Sequence, residues 1–429
     1  MRFSSILPLT FLVLCAHALS AQSVQRPGTP PLRWWKGNLH THSLWSDGDD
    51  FPEMIAEWYR THGYNFLALS DHNVLSQGQR WMPIARVESR GGDSVLPKYR
   101  ARYGGDWVET RGEPGTDSHE VRLKPFDEFR SLVEERGKFI MIPSEEVSDR
   151  SQGGPVHMNA TNLQEMIEPA GGATVREAMT NNLRAVDAQA KRLGREIMMH
   201  LNHPNFGYAV TAEDIASVVQ ERFFEVFNGH PAVGHLGDAE HPGVERLWDI
   251  ANTIRIGQLN AAPLFGVATD DSHNYHGKPG GATTGRGWVM VRSNYLTAEH
   301  LIRAMKRGDF YASSGVTLNS IEIDDKARTL KLQIKPADGQ DFTTHFIGTR
   351  KNWNQATEPR GSERITRKYS DDVGAILSTV KGLAPMYQAK GDELYVRAVV
   401  TSSADQPDPP AAGMKMQAWT QPVMFGAGQ

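Results

Sequence analysis

The sequence predicts an α/β protein in which a barrel is followed by a smaller β-rich region. Between residues 35 and 315, short apolar runs alternate with longer segments of helical periodicity, which is typical of α/β architecture. Ionisable residues recur directly after the apolar runs, as expected where parallel strands end on one face of a barrel. A chain of 429 residues is long enough for a barrel of roughly 250 residues and a second module.

The predicted strands are the short apolar runs, and the predicted helices lie in the longer segments between them. The strand candidates are Phe66 to Leu69, Phe139 to Ile142, Ile197 to Met199, Phe223 to Phe227 and Leu264 to Ala268. The helix candidates are Pro52 to His62, Thr174 to Leu193, Thr211 to Gln220 and Val244 to Ile254.

Two further segments differ from this alternating pattern. Residues 74–120 are rich in Gly and Arg, so they are interpreted as an insertion over the barrel mouth, either a lid or a surface excursion without a role. Residues 316–429 contain alternating strand-like runs and predict a small β-rich C-terminal module. This module either braces the barrel or binds a substrate, a glycan or a partner, and bracing is the preferred interpretation.

The first 21 residues have the features of a secretory signal peptide. Arg2 supplies the positive charge, Ile6 to Ala16 is apolar, and small residues follow. Residues 22–34 are then a linker, and the mature protein is expected to be secreted or periplasmic; the alternative is a buried N-terminal helix. The apolar run is too short for a mature membrane span. The only cysteine, Cys15, lies in this predicted signal peptide. The mature protein would therefore offer histidine and carboxylate side chains, and no thiolate, as ligands for a transition metal.

The composition narrows the class of partner. The chain has 22% charged residues, 39% hydrophobic residues and a formal net charge of -4. It therefore lacks the basic excess that is typical of nucleic-acid-binding proteins. A small-molecule substrate is expected, and a nucleic acid is not expected as a stable partner.

The densest chemical signal is the run HTHSLWSDG, from His40 to Gly48. Two histidines two residues apart leave a short strand on the same side, so His40 and His42 can reach one ion. Asp47 follows in a turn that holds its carboxylate close to the strand end. The full set of candidate ligands is His40, His42, Asp47, His72, Glu146, His157, His203, Asp271 and His273. Imidazole and carboxylate ligands suit Zn, Mn or Fe.

Other polar residues near these motifs are expected to play supporting roles. Asp71 is expected to orient an imidazole, and His200 to lie in the core or beside the ligands. Glu145 competes with Glu146 because neighbouring strand residues point to opposite faces, and Glu146 is preferred. Weaker candidates for substrate contact are His230, His235, His241 and His276, while Trp34, Trp35 and Trp45 are expected to pack.

The same motifs make the chain resemble the PHP (polymerase and histidinol phosphatase) metallohydrolases over about residues 35–315. The shared motifs are HTHSLWSDG, SDH at Ser70 to His72, IPSEEVS at Ile142 to Ser148, HMN from His157, NHP at Asn202 to Pro204 and DDSH at Asp270 to His273. Ser144 stands where the glutamate motif generally has glycine. The run RGDFYASSG, from Arg307 to Gly315, and the signal peptide are most similar to the secreted carbaryl-hydrolase-like branch.

The resemblance implies a distorted (β/α)7 barrel that holds two or three divalent metal ions. By position, one ion would be held by His40, His42, Glu146 and Asp271. A second would be held by Asp47, His72 and His273. A third would be held by His157 and His203, with Glu146 as the bridging ligand.

This ligand set predicts a metal-dependent hydrolase. Ions that share a carboxylate can hold a bridging water as a hydroxide nucleophile, so no side-chain nucleophile is needed. The resemblance favours a phosphoesterase, for which the candidate phosphate-binding cations are Arg100, Arg111, Lys124 and Arg286. The same site could hydrolyse carbamates, esters or amides. A non-catalytic metal- or carbohydrate-binding periplasmic protein is the remaining alternative.

Overall fold

The computed structural model describes residues 30–362 and 365–426. Contacts divide the chain into Met1–Pro31, of which only the last two residues are described, and one compact unit, Leu32–Gln429. The predicted signal peptide and Cys15 lie outside the described residues. The first strand begins at Arg33, inside the segment predicted as a linker. The division at residue 315 into a barrel and a C-terminal module stays a prediction.

The described chain contains strands throughout and helices only before residue 307. The strands are β1 (Arg33–Asn38), β2 (Phe66–Leu69), β3 (Arg80–Pro83), β4 (Thr110–Arg111), β5 (Glu120–Leu123), β6 (Ile140–Ser151), β7 (Gly154–Thr161), β8 (Met198–Leu201), β9 (Phe223–Asn228), β10 (Phe265–Thr269), β11 (Trp288–Ser293), β12 (Phe310–Ser313), β13 (Leu318–Asp324), β14 (Thr329–Ile334), β15 (Phe342–Arg350), β16 (Thr357–Arg360), β17 (Thr366–Tyr369), β18 (Ala375–Lys381), β19 (Met386–Gln388), β20 (Glu393–Asp405) and β21 (Lys415–Thr420). The helices are α1 (Pro52–Thr61), α2 (Ile84–Gly91), α3 (Val95–Tyr103), α4 (Phe126–Val133), α5 (Val175–Leu193), α6 (Ala212–Ser217), α7 (Val244–Gly257) and α8 (Ala298–Lys306). None of these helices is long and apolar enough to cross a membrane.

The protein is a mixed α/β protein with one large sheet. The strand order is β10-β9-β8-β7-β6-β2-β1-β11-β12-β21-β20-β15-β18. Strands β1, β2 and β6 are parallel, as are β8, β9 and β10, and the antiparallel β7 lies between these groups. From β11 to β18 every neighbouring pair is antiparallel. The five predicted strands of the barrel region are confirmed as elements, whereas β7 was not predicted.

The described strands do not form the closed barrel that the sequence predicted. Strand β10 ends the sheet and pairs only with β9, because β1 is already flanked by β2 and β11. The loops after β1 and β10 meet through an isolated parallel bridge between Thr41 and Ser272. In addition, the Asp271 N–H donates to the carbonyl of His40 at 3.0 Å. This contact joins the first and last parallel strands only at the end where their polar loops lie.

Local sequence explains why these segments form strands and helices. Every residue of β2, β8, β9 and β10 is buried, as expected for strands covered on both faces. Helix α5 begins with a capping box in which Thr174 and Glu177 satisfy each other's backbone N–H groups. It ends at Gly194, whose φ of 61° suits a residue without a Cβ. The buried faces of α5, α6 and α7 share one apolar cluster with β7, β8 and β9.

Residues 74–120 have more regular structure than their pattern indicates. They form α2, α3 and the small sheet β3-β5-β4. Their apolar side chains pack with Trp45, which is part of the first histidine motif, and with Phe51, which follows it. The two helices have eight and nine residues, which is shorter than the window over which helical periodicity is recognised.

Candidate metal centre

All nine predicted ligands lie together at one end of the parallel strands. Each offers a nitrogen or oxygen atom to a group of three or four such atoms that lie within 4.8 Å of one another. Four of these groups contain only predicted ligands: His42 with Asp47, His72 and His273; His40 with His42 and Asp271; His40 with Glu146 and His203; and His72 with Glu146 and His157. Most of these residues follow parallel strands that end on the same side of the sheet, and His157 reaches the same side from the first half of the antiparallel β7.

Glu146 is the central carboxylate of this cluster. Its side chain is fully buried on β6, facing the histidines. Its Oε1 lies 3.1 Å from Nδ1 of His157 and 3.3 Å from Nε2 of His203. Its Oε2 lies 2.6 Å from Nδ1 of His72 and 3.5 Å from Nε2 of His42. One carboxylate thus lies between two sets of imidazoles, which is the arrangement of a bridging ligand.

The neighbouring Glu145 faces the opposite side of β6. Its carboxylate accepts the backbone N–H of Ile167, with N–O distances of 3.1 and 3.2 Å. Burial raises the pKa of Glu145 to about 8, and the negative charge of Glu168 adds to this effect. The alternation of side chains along a strand explains why only Glu146 reaches the cluster.

Asp47 and Asp271 contribute the other carboxylates. Oδ1 of Asp271 lies 3.2 Å from Nε2 of His40 and 3.3 Å from Nε2 of His42. Oδ1 of Asp47 lies 3.3 Å from Nε2 of His273, and its Oδ2 lies 3.5 Å from Nε2 of His72. Asp271 has a left-handed φ of 48°, a conformation that is uncommon for residues with a Cβ and recurs at functional sites. The Asp47 side chain is 52% exposed, so it marks the solvent side of the cluster.

The donor set fits divalent cations. Oε2 of Glu146 and Nδ1 of His157 are buried without an aligned hydrogen-bond partner, although acidic and basic groups surround them. Burial opposes ionisation of Glu146 and Asp271, yet the nearby histidines hold the pKa of both carboxyls well below the usual value. Burial lowers the pKa of His72, but Glu146 and Asp47 outweigh it and raise that pKa to about 11. Anionic oxygens and imidazole nitrogens therefore converge, and a divalent cation can replace the protons between them.

Glu225 is a site residue that the sequence analysis missed. Its buried carboxylate accepts from Nδ1 of His40 at 2.7 Å and from the backbone N–H of His203 at 2.7 Å. With Nδ1 of His40 bound to Glu225, Nε2 faces Oδ1 of Asp271 at 3.2 Å and is the ring nitrogen available to a metal ion. His200 lies beside Glu225, with Nε2 3.6 Å from Oε1. A glutamate between the apolar residues of the run FFEVF, in β9, was the signal that could have identified it.

Asp71 organises the turn that precedes Asp47. Its carboxylate accepts the backbone N–H and hydroxyl of both Ser43 and Ser46. The hydroxyl of Ser46 in turn lies 3.2 Å from Nδ1 of His42. Asp71 therefore reaches the imidazole of His42 through Ser46, and it makes no hydrogen bond with the adjacent His72 in the described chain.

A cavity of about 150 Å³ opens next to the cluster. Besides predicted ligands, its lining includes Phe206, His230 and Val233. The other three weaker histidine candidates lie outside this lining: His235 packs on Phe227, His241 stacks on Tyr208, and His276 lies 3.6 Å from Asp50. The indole N–H groups of Trp34, Trp35 and Trp45 donate to backbone carbonyls, as expected for packing residues.

The four cations predicted to bind phosphate do not line this cavity. Arg111 pairs with Glu120, Lys124 with Glu109, and Arg286 with Asp408, while Arg100 lines a separate cavity in the insertion. A different cation, Arg90 of α2, lies next to the turn that carries Asp47. Its Nη1 donates to the carbonyls of Ser46 and Gly48, at 2.7 and 3.1 Å, on either side of Asp47.

Comparisons with known proteins give only distant similarities. No protein-family model matches the chain, and no curated protein matches it. The chain is similar to a two-domain protein from Bacteroides vulgatus that contains a predicted PHP-like metal-dependent phosphoesterase. The two sequences are 13% identical, the match covers 94% of this chain and 100% of that chain, and the TM-score is 0.40. It is also similar to a protein from Bifidobacterium adolescentis named provisionally as a metal-dependent phosphoesterase, with 13% identity, 57% and 89% coverage, and a TM-score of 0.28. Similarities of this size leave the function to be inferred from the site residues.

Proposed function

We propose that this protein is a metal-dependent hydrolase of the PHP type that binds two or three divalent ions, Zn, Mn or Fe. The observation that carries the proposal is the convergence of nine histidine and carboxylate side chains around Glu146. The buried Oε2 of Glu146 and Nδ1 of His157 support it, because they contact other site atoms without an aligned hydrogen bond and a cation between them would satisfy both. The proposal includes a secreted or periplasmic location, which rests on residues 1–21.

The arrangement of donor atoms indicates which residues would hold the ions. One ion would lie between His40, His42 and Asp271, and Glu146 is 3.5 Å from both histidines. Another would lie between Asp47, His72 and His273, with His42 next to them. His157 and His203 approach the same oxygen of Glu146. When bound, divalent ions would activate a water as the nucleophile and offset the negative charge that develops on the substrate.

The residues of the chain would prepare the site for this chemistry. Glu225 fixes the orientation of His40, and Asp71 does the same for the turn that carries Asp47. The partly exposed Asp47 leaves an open approach from solvent, while the cavity beside it provides space for a substrate. No serine or cysteine nucleophile is required by this mechanism.

Phosphate esters are the first proposed substrate class. Arg90 does not line the cavity either, but it supports this choice because it lies beside the turn of Asp47 and forms no ion pair with a carboxylate in the described chain. Its guanidinium is tied to the backbone on both sides of Asp47, so it can offer its remaining N–H groups to an anion at the mouth of the site.

Carbamates and carboxylic esters are the second class, as expected for a carbaryl-hydrolase-like protein. Two observations favour them. The four cations predicted for phosphate lie elsewhere, and the cavity has the apolar side chains of Phe206 and Val233 in its wall. Neutral substrates need no further cation beyond the metal ions themselves.

The experiment is an activity panel on the mature chain, purified without chelators and supplied with Mn or Zn. We expect metal-dependent hydrolysis of 4-nitrophenyl phosphate that is lost on chelation and restored by metal. Hydrolysis of 4-nitrophenyl esters alone would instead support the second class. Bound metal without turnover of any substrate would support a non-catalytic metal-binding protein and contradict the proposal.

A further inference from the structure

Phe206 is a large apolar side chain exposed beside the candidate ligands. Its side chain is 38% exposed, and its ring centroid lies 5.4 Å from that of His203 and 6.2 Å from that of His157. It belongs to none of the apolar clusters of the core. The ring is therefore partly exposed and lies outside the apolar core, next to two of the candidate ligands.

The backbone holds Phe206 in this exposed position. Its N–H donates to the carbonyl of His203 at 2.8 Å, in a single 3-10 turn. The two following residues have left-handed φ values, 58° at Gly207 and 49° at Tyr208, which is uncommon for a tyrosine. The ring of Tyr208 then stacks on His241, with the centroids 3.8 Å apart. The turn is thus fixed on both sides of Phe206.

A second loop places Val233 on the same cavity. Nδ2 of Asn205 donates to the carbonyls of Gly234 and Pro242, both at 3.0 Å. These two hydrogen bonds join the turn of Phe206 to the loop that carries Val233. Both side chains line the cavity that also contains His157 and His203. The cavity therefore has a polar side made of ligands and an apolar side made of two tethered loops.

We propose that Phe206 and Val233 form an apolar subsite that selects substrates carrying an aromatic group next to the hydrolysed bond. This inference rests on the proposed hydrolase function. The ring of Phe206 offers a face for stacking or edge contact, and Val233 limits the width of the cavity. The cavity volume of about 150 Å³ is close to the space that one aromatic ring needs.

The test compares benzyl and methyl substrates in two chemical classes: benzyl and methyl phosphate, and benzyl and methyl acetate. The ratio of kcat/KM for the benzyl substrate to that for the methyl substrate is measured with the metal-loaded wild-type protein and with variants. Comparing this ratio between proteins removes the intrinsic reactivity of each bond. Phe206→Ala removes the ring, Phe206→Tyr retains it, and Leu236→Ala removes a 62% exposed side chain three residues after Val233 and outside the cavity.

We expect Phe206→Ala to lower the benzyl-to-methyl ratio about tenfold, mainly through KM, because an aromatic contact of the substrate is lost. Metal content should not change, and Phe206→Tyr and Leu236→Ala should keep the wild-type ratio. An unchanged ratio in Phe206→Ala would overturn the inference. Equal losses for benzyl and methyl substrates together with lost metal would also overturn it, since Phe206 would then only position His203.

A binding measurement separates this inference from the proposed function. Titration calorimetry compares benzylphosphonate with methylphosphonate on the metal-loaded protein. Tighter binding of benzylphosphonate that depends on Phe206, without turnover of any substrate, would support the subsite and contradict the hydrolase. Turnover without any preference for benzyl substrates would support the hydrolase and contradict the subsite. The absence of both would contradict both proposals.

Discussion

The metal cluster and the cavity wall beside it are built in different ways. The cluster draws its side chains from the ends of the sheet strands, and Glu146 at its centre is fully buried. The wall consists of two loops joined by Asn205, and Phe206 within it is partly exposed. Changes in the cluster should therefore abolish the reaction, whereas changes in the wall should alter which substrate is used.

The largest effect is expected from Glu146→Gln. Loss of the central negative charge should remove bound metal and reduce kcat by about a thousandfold or more, because metal-dependent activation of water needs the complete site. The matched control is Glu145→Gln, one residue earlier and facing away from the cluster. Elemental analysis and steady-state kinetics measure both effects, and equal losses in the two variants would contradict the site assignment.

The second largest effect tests whether Glu225, which hydrogen-bonds to His40, contributes to metal binding. Glu225→Gln should weaken metal binding about 10- to 100-fold, because His40 loses the carboxylate that orients its ring. Glu221→Gln is the control, since Glu221 is also a buried glutamate but accepts the backbone N–H of Phe223 instead. Metal titration with a competing chelator gives the affinities. A wild-type affinity in Glu225→Gln would exclude the orienting role.

Arg90→Gln should weaken the hydrolysis of phosphate esters more than that of carboxylic esters, which distinguishes the two substrate classes. We expect KM for 4-nitrophenyl phosphate to rise about tenfold, with little change for 4-nitrophenyl acetate, because only the phosphate carries charge for the guanidinium. Arg102→Gln is the control, as Arg102 pairs with Glu57 on the surface. If Arg90→Gln affects both substrates alike, Arg90 supports the turn of Asp47 instead of binding an anion.

The smallest effect concerns stability and involves Glu145 alone. Burial raises its pKa in the folded protein to about 8, above the usual value near 4.5. Its contribution to stability is therefore complete below about pH 4.5 and is lost as the pH rises through 8. Glu145→Gln should gain stability relative to wild type between pH 5 and 8.5, by about 2 °C or more in Tm. Thermal unfolding measures this, and a difference independent of pH would contradict the raised pKa.

The candidate ligands could be listed from the sequence because their signal is local. A polar residue directly after a buried apolar run marks the end of a strand, so His72, His203 and Asp271 could be placed before any fold was known. The alternation of side chains along one strand also predicted that only one of Glu145 and Glu146 could face the cluster, and the family motif favoured Glu146.

The sequence failed where the outcome depends on which strands pair. The pairing of β1 with β11 leaves β10 without a second neighbour, and nothing local to either strand indicates this. Glu225 lies among apolar residues of its strand, and its contact with His40 depends on where the sheet places that histidine. Phe206 and Arg90 lie in loops or short helices, whose contacts with the site are determined only by tertiary structure.

The most direct test of the central claim is equilibrium metal binding by the wild-type chain and Glu146→Gln. Both proteins are stripped with chelator, reconstituted with Mn or Zn, freed of excess metal and analysed for metal per chain. We expect two or three ions bound to the wild type and a clear loss in Glu146→Gln, with turnover following the bound metal. A wild-type chain that remains folded but binds no metal after reconstitution would contradict the proposed metal centre.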